Sequence, residues 1–209
     1  MTRIYALLAA AVLATLLIAL WVMGFAKGAN DGDIFAQCRG SATGATIGGA
    51  FELVDENGKT VTDKDVINQP SLLYFGYTFC PDVCPLDNAR NAEAIEILEE
   101  RGKIVQPVFI SIDPKRDTPE VLRDFTDNLH PRMYGLTGSP EQVAAASRAY
   151  RTYFKAHEPE EGDEEFYLVD HSTQSYLVLP EYGFVEFFKR GDTPEAMADR
   201  IQCFVDAAK

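Results

Sequence analysis

The feature that most constrains the fold of this chain is a buried strand that ends on a cysteine pair. Seven residues, Ser71-Leu-Leu-Tyr-Phe-Gly-Tyr77, are nearly all apolar and show no in–out alternation. A strand of that kind is covered on both faces, so its sheet must carry helices on both sides. Directly after it comes Thr78-Phe-Cys80-Pro-Asp-Val-Cys84-Pro85, and from Leu86 to Arg101 alanine and leucine fall at helical spacing. Cys80 and Cys84 therefore sit between a strand end and a helix start, where the positive helix terminus stabilises a thiolate.

The rest of the chain repeats the alternation. Phe51 to Val61 reads as a hairpin turning at Asn57-Gly58, and Ile104 to Ile112 as a second buried strand. Three helix starts share one local chemistry: Thr118-Pro119-Glu120, Ser139-Pro140-Glu141 and Thr193-Pro194-Glu195. In each, a hydroxyl can cap free amides, proline loses no hydrogen bond at the first helical position, and the glutamate meets the positive helix end. The second helix is expected to run from Pro140 to about Lys155. Phe166 to Val169 is expected to be a strand, Ser175–Leu179 with Phe184–Lys189 a hairpin, and Pro194 to Ala208 a terminal amphipathic helix. This order of elements predicts an α/β layer structure whose central sheet is mixed.

Ile4 to Ala26 contains no charged side chain, and as a helix it would reach about 34 Å, enough to cross a hydrocarbon core. It is longer than the apolar part of a cleaved signal peptide. The expected organisation is a cytoplasmic stub and transmembrane anchor over 1–26, a Gly/Ala/Ser/Thr-rich linker over 27–50 and one domain over 51–209. A bacterial inner membrane with the domain in the periplasm fits this arrangement, Arg3 marking the inner end. The net charge of -13 excludes nucleic-acid binding, which needs Lys and Arg against phosphates. Glu158 to Glu165, almost all acidic, reads as an exposed loop.

The three-residue spacing of Cys80 and Cys84 differs from the two-residue spacing of redox dithiols. Four positions apart on a helical turn, two sulfurs share a face and can hold one soft ion. Alone, such a pair in an exported protein is as well read as a disulfide. A third ligand would come from His130, His157 or His171, and His171 directly follows the expected strand Phe166–Val169.

Three segments taken together resemble the Sco/SenC copper proteins: Tyr74-Phe-Gly-Tyr-Thr-Phe-Cys80-Pro-Asp-Val-Cys84-Pro, Ser111-Ile-Asp113-Pro-Lys-Arg116-Asp-Thr118-Pro and Tyr167-Leu-Val-Asp170-His171-Ser172. The likeness runs from about Gly48 to the C-terminus. It implies a thioredoxin-like fold behind one N-terminal transmembrane helix. It also implies a copper chaperone that delivers to the dinuclear copper centre in subunit II of cytochrome c oxidase. Cys80, Cys84 and His171 carry over as ligands for one copper per chain, as Cu(I) or Cu(II). Asp82 and Asp170 lie inside the matched motifs and are expected to orient a ligand or tune its charge without binding the ion. Leu86-Asp87 stands where the family more often has threonines, and Leu179-Pro180-Glu181-Tyr182 replaces its more usual turn.

Cys38 and Cys203 remain, and an oxidising compartment suggests that they pair. In the oxidised, metal-free form Cys80 and Cys84 would also pair. The alternative function is a thiol–disulfide oxidoreductase that keeps the oxidase cysteines reduced. Other periplasmic copper or thiol-redox proteins are further candidate partners.

Overall fold

The computed structural model describes Tyr5 and residues 12–21, 33–39, 47–159 and 166–209. Residues 12–21 are helical. Among the described residues no helix is long and apolar enough to cross a membrane. Of the 23 residues of the span expected over 4–26, 12 lie outside them. The chain divides into two compact units, Met1–Gln37 and Cys38–Lys209, and the second carries the chemistry. Part of the expected linker belongs to that second unit. Cys38 is bonded to Cys203, and the Gly48 amide donates to the Ala149 carbonyl at 2.8 Å.

Strand β3 (Ser71–Gly76) is buried along its whole length, as its unbroken apolar run requires. It pairs in parallel with β4 (Gln106–Ser111) and antiparallel with β8 (Ser175–Leu179). β5 (Tyr134–Thr137) extends the parallel part beside β4. The hairpin of β1 (Glu52–Asp55) and β2 (Thr60–Thr62) closes one edge, and β9 (Gly183–Phe188) the other. Among the described residues this makes a seven-stranded mixed sheet in the order β2-β1-β5-β4-β3-β8-β9.

After the short α1 (Asp63–Val66), helices α2 (Val83–Glu100), α3 (Pro119–Asp127), α4 (Pro140–Ala149) and α5 (Pro194–Ala207) follow. Their caps form as the local sequence dictates. Thr118, Ser139 and Thr193 accept the amides of Val121, Gln142 and Ala196. Helices α2 and α5 pack together, and Arg101 reaches Asp199 at 2.7 Å.

Two boundaries differ from expectation. Helix α4 stops at Ala149 instead of about Lys155: Arg151 takes a left-handed φ of 53°, and Phe154–Ala156 becomes a strand, β6. β6 pairs antiparallel with β7, which is Val169–His171 and not Phe166–Val169. The apolar residues Phe166 and Leu168 precede the ladder and stay exposed, whereas Val169 is buried. Pairing with so short a partner, rather than side-chain apolarity, decides where β7 begins. In that register Phe154 stands opposite His171.

Candidate metal centre

The β3 strand carries the cysteines to the site, and a glycine makes room for them. A Cβ on Gly76 would stand 3.0 Å from Cys84 Sγ and 2.8 Å from the Tyr74 ring. The backbone of β3 can pass so close to the sulfur only without a side chain there. Beyond the strand, Thr78 is clamped by Asp117, whose carboxylate accepts the Thr78 hydroxyl at 2.6 Å and its amide at 3.1 Å. Asp117 also accepts the Ser111 hydroxyl at 2.6 Å, so the cysteine loop is pinned to the end of β4. Burial raises the Asp117 carboxyl above its usual range despite these bonds.

Helix α2 then begins at Val83, which makes the second cysteine an N-terminal helical residue. The Cys84 amide donates to Cys80 Sγ at 3.3 Å, as a free amide at a helix start can. Both cysteines are free thiols, and their protons are shared unequally. The Cys84 thiol, aided by the backbone amides of Asp82 and Cys84, holds the Cys80 thiol far below its ordinary value. The same hydrogen bond, together with burial, pushes the Cys84 thiol up. Of the two, Cys80 is thus the thiol that ionises more readily.

The ladder of β6 and β7 delivers the third group. His171 Nε2 stands 3.3 Å from Cys84 Sγ, and its Nδ1 lies 2.8 Å from the Ser172 carbonyl oxygen. A carbonyl only accepts, so Nδ1 carries the hydrogen and Nε2 turns a lone pair toward the sulfurs. Tyr74 and Tyr77 meet the imidazole edge-on at 6.2 and 5.8 Å between centroids and wall the ring in. The Tyr77 hydroxyl also accepts the Val169 amide at 3.2 Å, tying the end of β3 to β7.

Cys80, Cys84 and His171 thus offer two sulfurs and one nitrogen, all within 4.8 Å of one another. With metal–ligand bonds of ~2.0–2.3 Å, ligands spread at wide angles around one ion sit about 4 Å apart. The trio fits a single soft ion, and its donor set suits copper or zinc. Cys84 is fully buried and Cys80 is 8% exposed, while His171 is half-buried, so the last two face what solvent access there is.

The structure puts the other expected residues elsewhere. Asp170 directs its carboxylate to His157, 2.9 Å away, and not to His171. The Asp82 side chain is exposed, and its amide is what bears on Cys80. His130 is buried beside Glu99 at 3.3 Å. Asp113 and Arg116 are joined at 2.5 Å, with the guanidinium 3.6 Å from the centroid of Tyr167 and 4.8 Å from that of Phe79.

Asp87 and Tyr74 take a role at the site that the sequence reading did not assign them. The Tyr74 hydroxyl donates to Asp87 at 3.0 Å, and the buried carboxylate is also met by Arg90 at 3.3 Å and Arg190 at 3.4 Å. Arg190 is a hundred residues downstream of this helix turn, and no local signal could connect the two. An aspartate three positions after Cys84, on the helix face that buries it, was the one clue available.

A thioredoxin-like α/β domain with a Cys, Cys, His trio at the end of its central strand defines the class. The SCO1/SenC family model matches residues 39–206, and the chain belongs to that family. SenC of Rhodobacter capsulatus is 56% identical over 181 residues, covering 85% of this chain and 80% of SenC. The mitochondrial SCO1 homolog 1 of Arabidopsis thaliana is 43% identical over 82% of this chain, which spans only 51% of that longer protein. Among solved structures, Arabidopsis thaliana ScoI with copper bound matches at a TM-score of 0.71 and 41% identity, covering 77% of this chain and 99% of that one. Bradyrhizobium japonicum ScoI with copper bound matches at a TM-score of 0.67 and 38% identity, over 75% and 98%.

Proposed function

We propose that this protein is a copper metallochaperone that holds one copper ion, as Cu(I) or Cu(II), on Cys80, Cys84 and His171. It passes the ion to the dinuclear copper centre in subunit II of cytochrome c oxidase. The observation that carries the reading is the convergence of two sulfurs and a lone-pair nitrogen within 4.8 Å. Relatives of about 40% identity have been solved with copper bound. A site of three ligands leaves room for an acceptor thiolate. One acceptor sulfur–copper bond forms as one donor bond breaks, and the charge on copper does not change. The apolar segment 4–26 would anchor the protein in a bacterial inner membrane, with the domain in the periplasm.

A second reading rests on the Cys80 thiolate, which is also what a disulfide reductase needs. Cys80 would attack a substrate disulfide and Cys84 would release it. Two electrons then reduce the substrate as Cys80 and Cys84 become a disulfide. The test is copper per chain after anaerobic loading with Cu(I), compared with a Cys80→Ser/Cys84→Ser variant. Near-stoichiometric copper that the variant loses supports the chaperone. If the reduced protein takes up no copper but turns over a disulfide substrate, the reductase reading replaces it.

A further inference from the structure

Beside the cysteine loop lies a groove of about 490 Å³ whose walls include Phe79, Pro81, Arg116, Phe166, Tyr167 and Leu168. Three of these apolar side chains are left to solvent: Phe166 is 70% exposed, Leu168 55% and Phe79 49%. Large apolar side chains contiguous on a surface mark a place that another molecule covers. Nothing in the fold needs them there, since β7 starts only at Val169.

Their position says what covers them. Phe79 and Pro81 flank Cys80, and Leu168 lies three residues before His171. Cys84 is wholly buried, so an acceptor can reach the trio only past Cys80 and His171, the side on which these residues stand. The shelf is firm. Phe79 and Tyr167 both stack on the Arg116 guanidinium, which Asp113 anchors.

Around it the charge is mainly negative. Glu158 lines the groove, and Asp82 and Asp170 are exposed nearby. The cations on this side are engaged: Arg116 by Asp113, and Lys115 over the Tyr167 ring at 5.6 Å.

We propose that this groove is the docking shelf for the copper acceptor. Its partner would be a protein face that carries the receiving cysteines, sets an apolar side chain into the groove and surrounds it with Lys or Arg. The inference rests on the chaperone reading and adds to it the chemistry of the partner. Apolar contact would supply the hold, and the acidic surround would steer the approach.

The test measures copper transfer from the loaded full-length protein to three probes. One is the apo copper domain of a cytochrome c oxidase subunit II. The others are two synthetic dithiol peptides with the same cysteines, one flanked by Phe and Lys, the other by Ser and Glu. A Phe166→Ser/Leu168→Ser variant, in neither residue a ligand, should keep its copper content and fold. It should transfer about tenfold more slowly to the subunit II domain and to the Phe/Lys peptide. Glu158→Lys should slow transfer several-fold at low salt, roughly the effect of a rim charge, and weaken its salt dependence. Equal transfer to both peptides, unchanged in both variants, overturns the shelf. If the peptides discriminate but the subunit II domain takes no copper, the shelf stands and the proposed acceptor is wrong.

Discussion

The two cysteine pairs of this domain do opposite work. Cys38 and Cys203 are 165 residues apart and bonded, with their Cα atoms 5.6 Å apart. Cys80 and Cys84 are four residues apart and free. The first pair closes a loop of most of the domain and removes entropy from the unfolded chain, so its worth is stability. The second holds one readily ionised thiol, Cys80, and faces an imidazole lone pair, so its worth is reactivity. Backbone constraint runs the same way. The distant pair ties down the chain's entry to the domain, whereas the near pair is itself held by Gly76, Asp117 and the start of α2. Here the pair distant in sequence is the bonded one and the near pair is free.

The contrast between the two pairs can be tested by removing each in turn. The largest effect should come from Cys80→Ser/Cys84→Ser, which should abolish copper binding while the melting temperature of the apo domain moves by only a few degrees. Elemental analysis alongside calorimetry checks it; a collapse of stability would show the near pair to be structural as well. Cys38→Ser/Cys203→Ser should do the reverse. The loop-entropy argument gives a loss of about 4–5 kcal/mol in denaturant unfolding, with copper per chain unchanged.

Gly76→Ala should damage both properties at once, because its methyl group would press on Cys84 Sγ and the Tyr74 ring. A cost of about 1–3 kcal/mol is expected, as for overpacking elsewhere, together with weaker copper retention against a chelator. Should the variant keep wild-type affinity, the backbone around the sulfur is more yielding than the geometry implies.

The smallest effect is one of rate. With its thiol held well below the ordinary value, Cys80 is deprotonated at neutral pH, while Cys84 keeps its proton. In the apo protein, iodoacetamide should therefore label Cys80 first. The rate should stay nearly level as pH falls from about 8.5, the ordinary thiol value, through neutrality, where a normal cysteine slows tenfold per unit. Peptide mapping that found Cys84 labelled first, or a normal pH dependence, would reverse the assignment of nucleophile.

How much of this could be read in the sequence differs from element to element. The unbroken apolar run of β3 and the three Thr/Ser-Pro-Glu helix starts were legible because burial on both faces and capping are local. Cys80 and Cys84 were placed by the same logic. His171 was less so: its place directly after an expected strand favoured it among three histidines, and likeness to the family then singled it out. Helix α4 was read too long because β6 carries no strand signal of its own, and β7 three residues too early because the apolar run Phe166–Val169 precedes the ladder that β6 makes. The acidic residues were hardest. Asp170 was expected beside the ligand and faces His157, whereas Asp87, which stood out only as a departure from the family pattern, anchors Tyr74 below the site.

By itself, then, the sequence determined the α/β succession, the helix caps, the position of the cysteines at a strand–helix junction and membership of the family. The two leftover cysteines also pointed to the Cys38–Cys203 bond, which forms. It took the folded chain to turn His171 Nε2 toward the sulfurs, to pin the cysteine loop on Asp117 and to gather Tyr74, Arg90 and Arg190 around Asp87. The division has a physical cause. Period, capping and turn chemistry act over a few bonds and leave a mark at each position. Contacts across the sheet and between loops join residues distant in the chain, and chain folding alone brings them within reach.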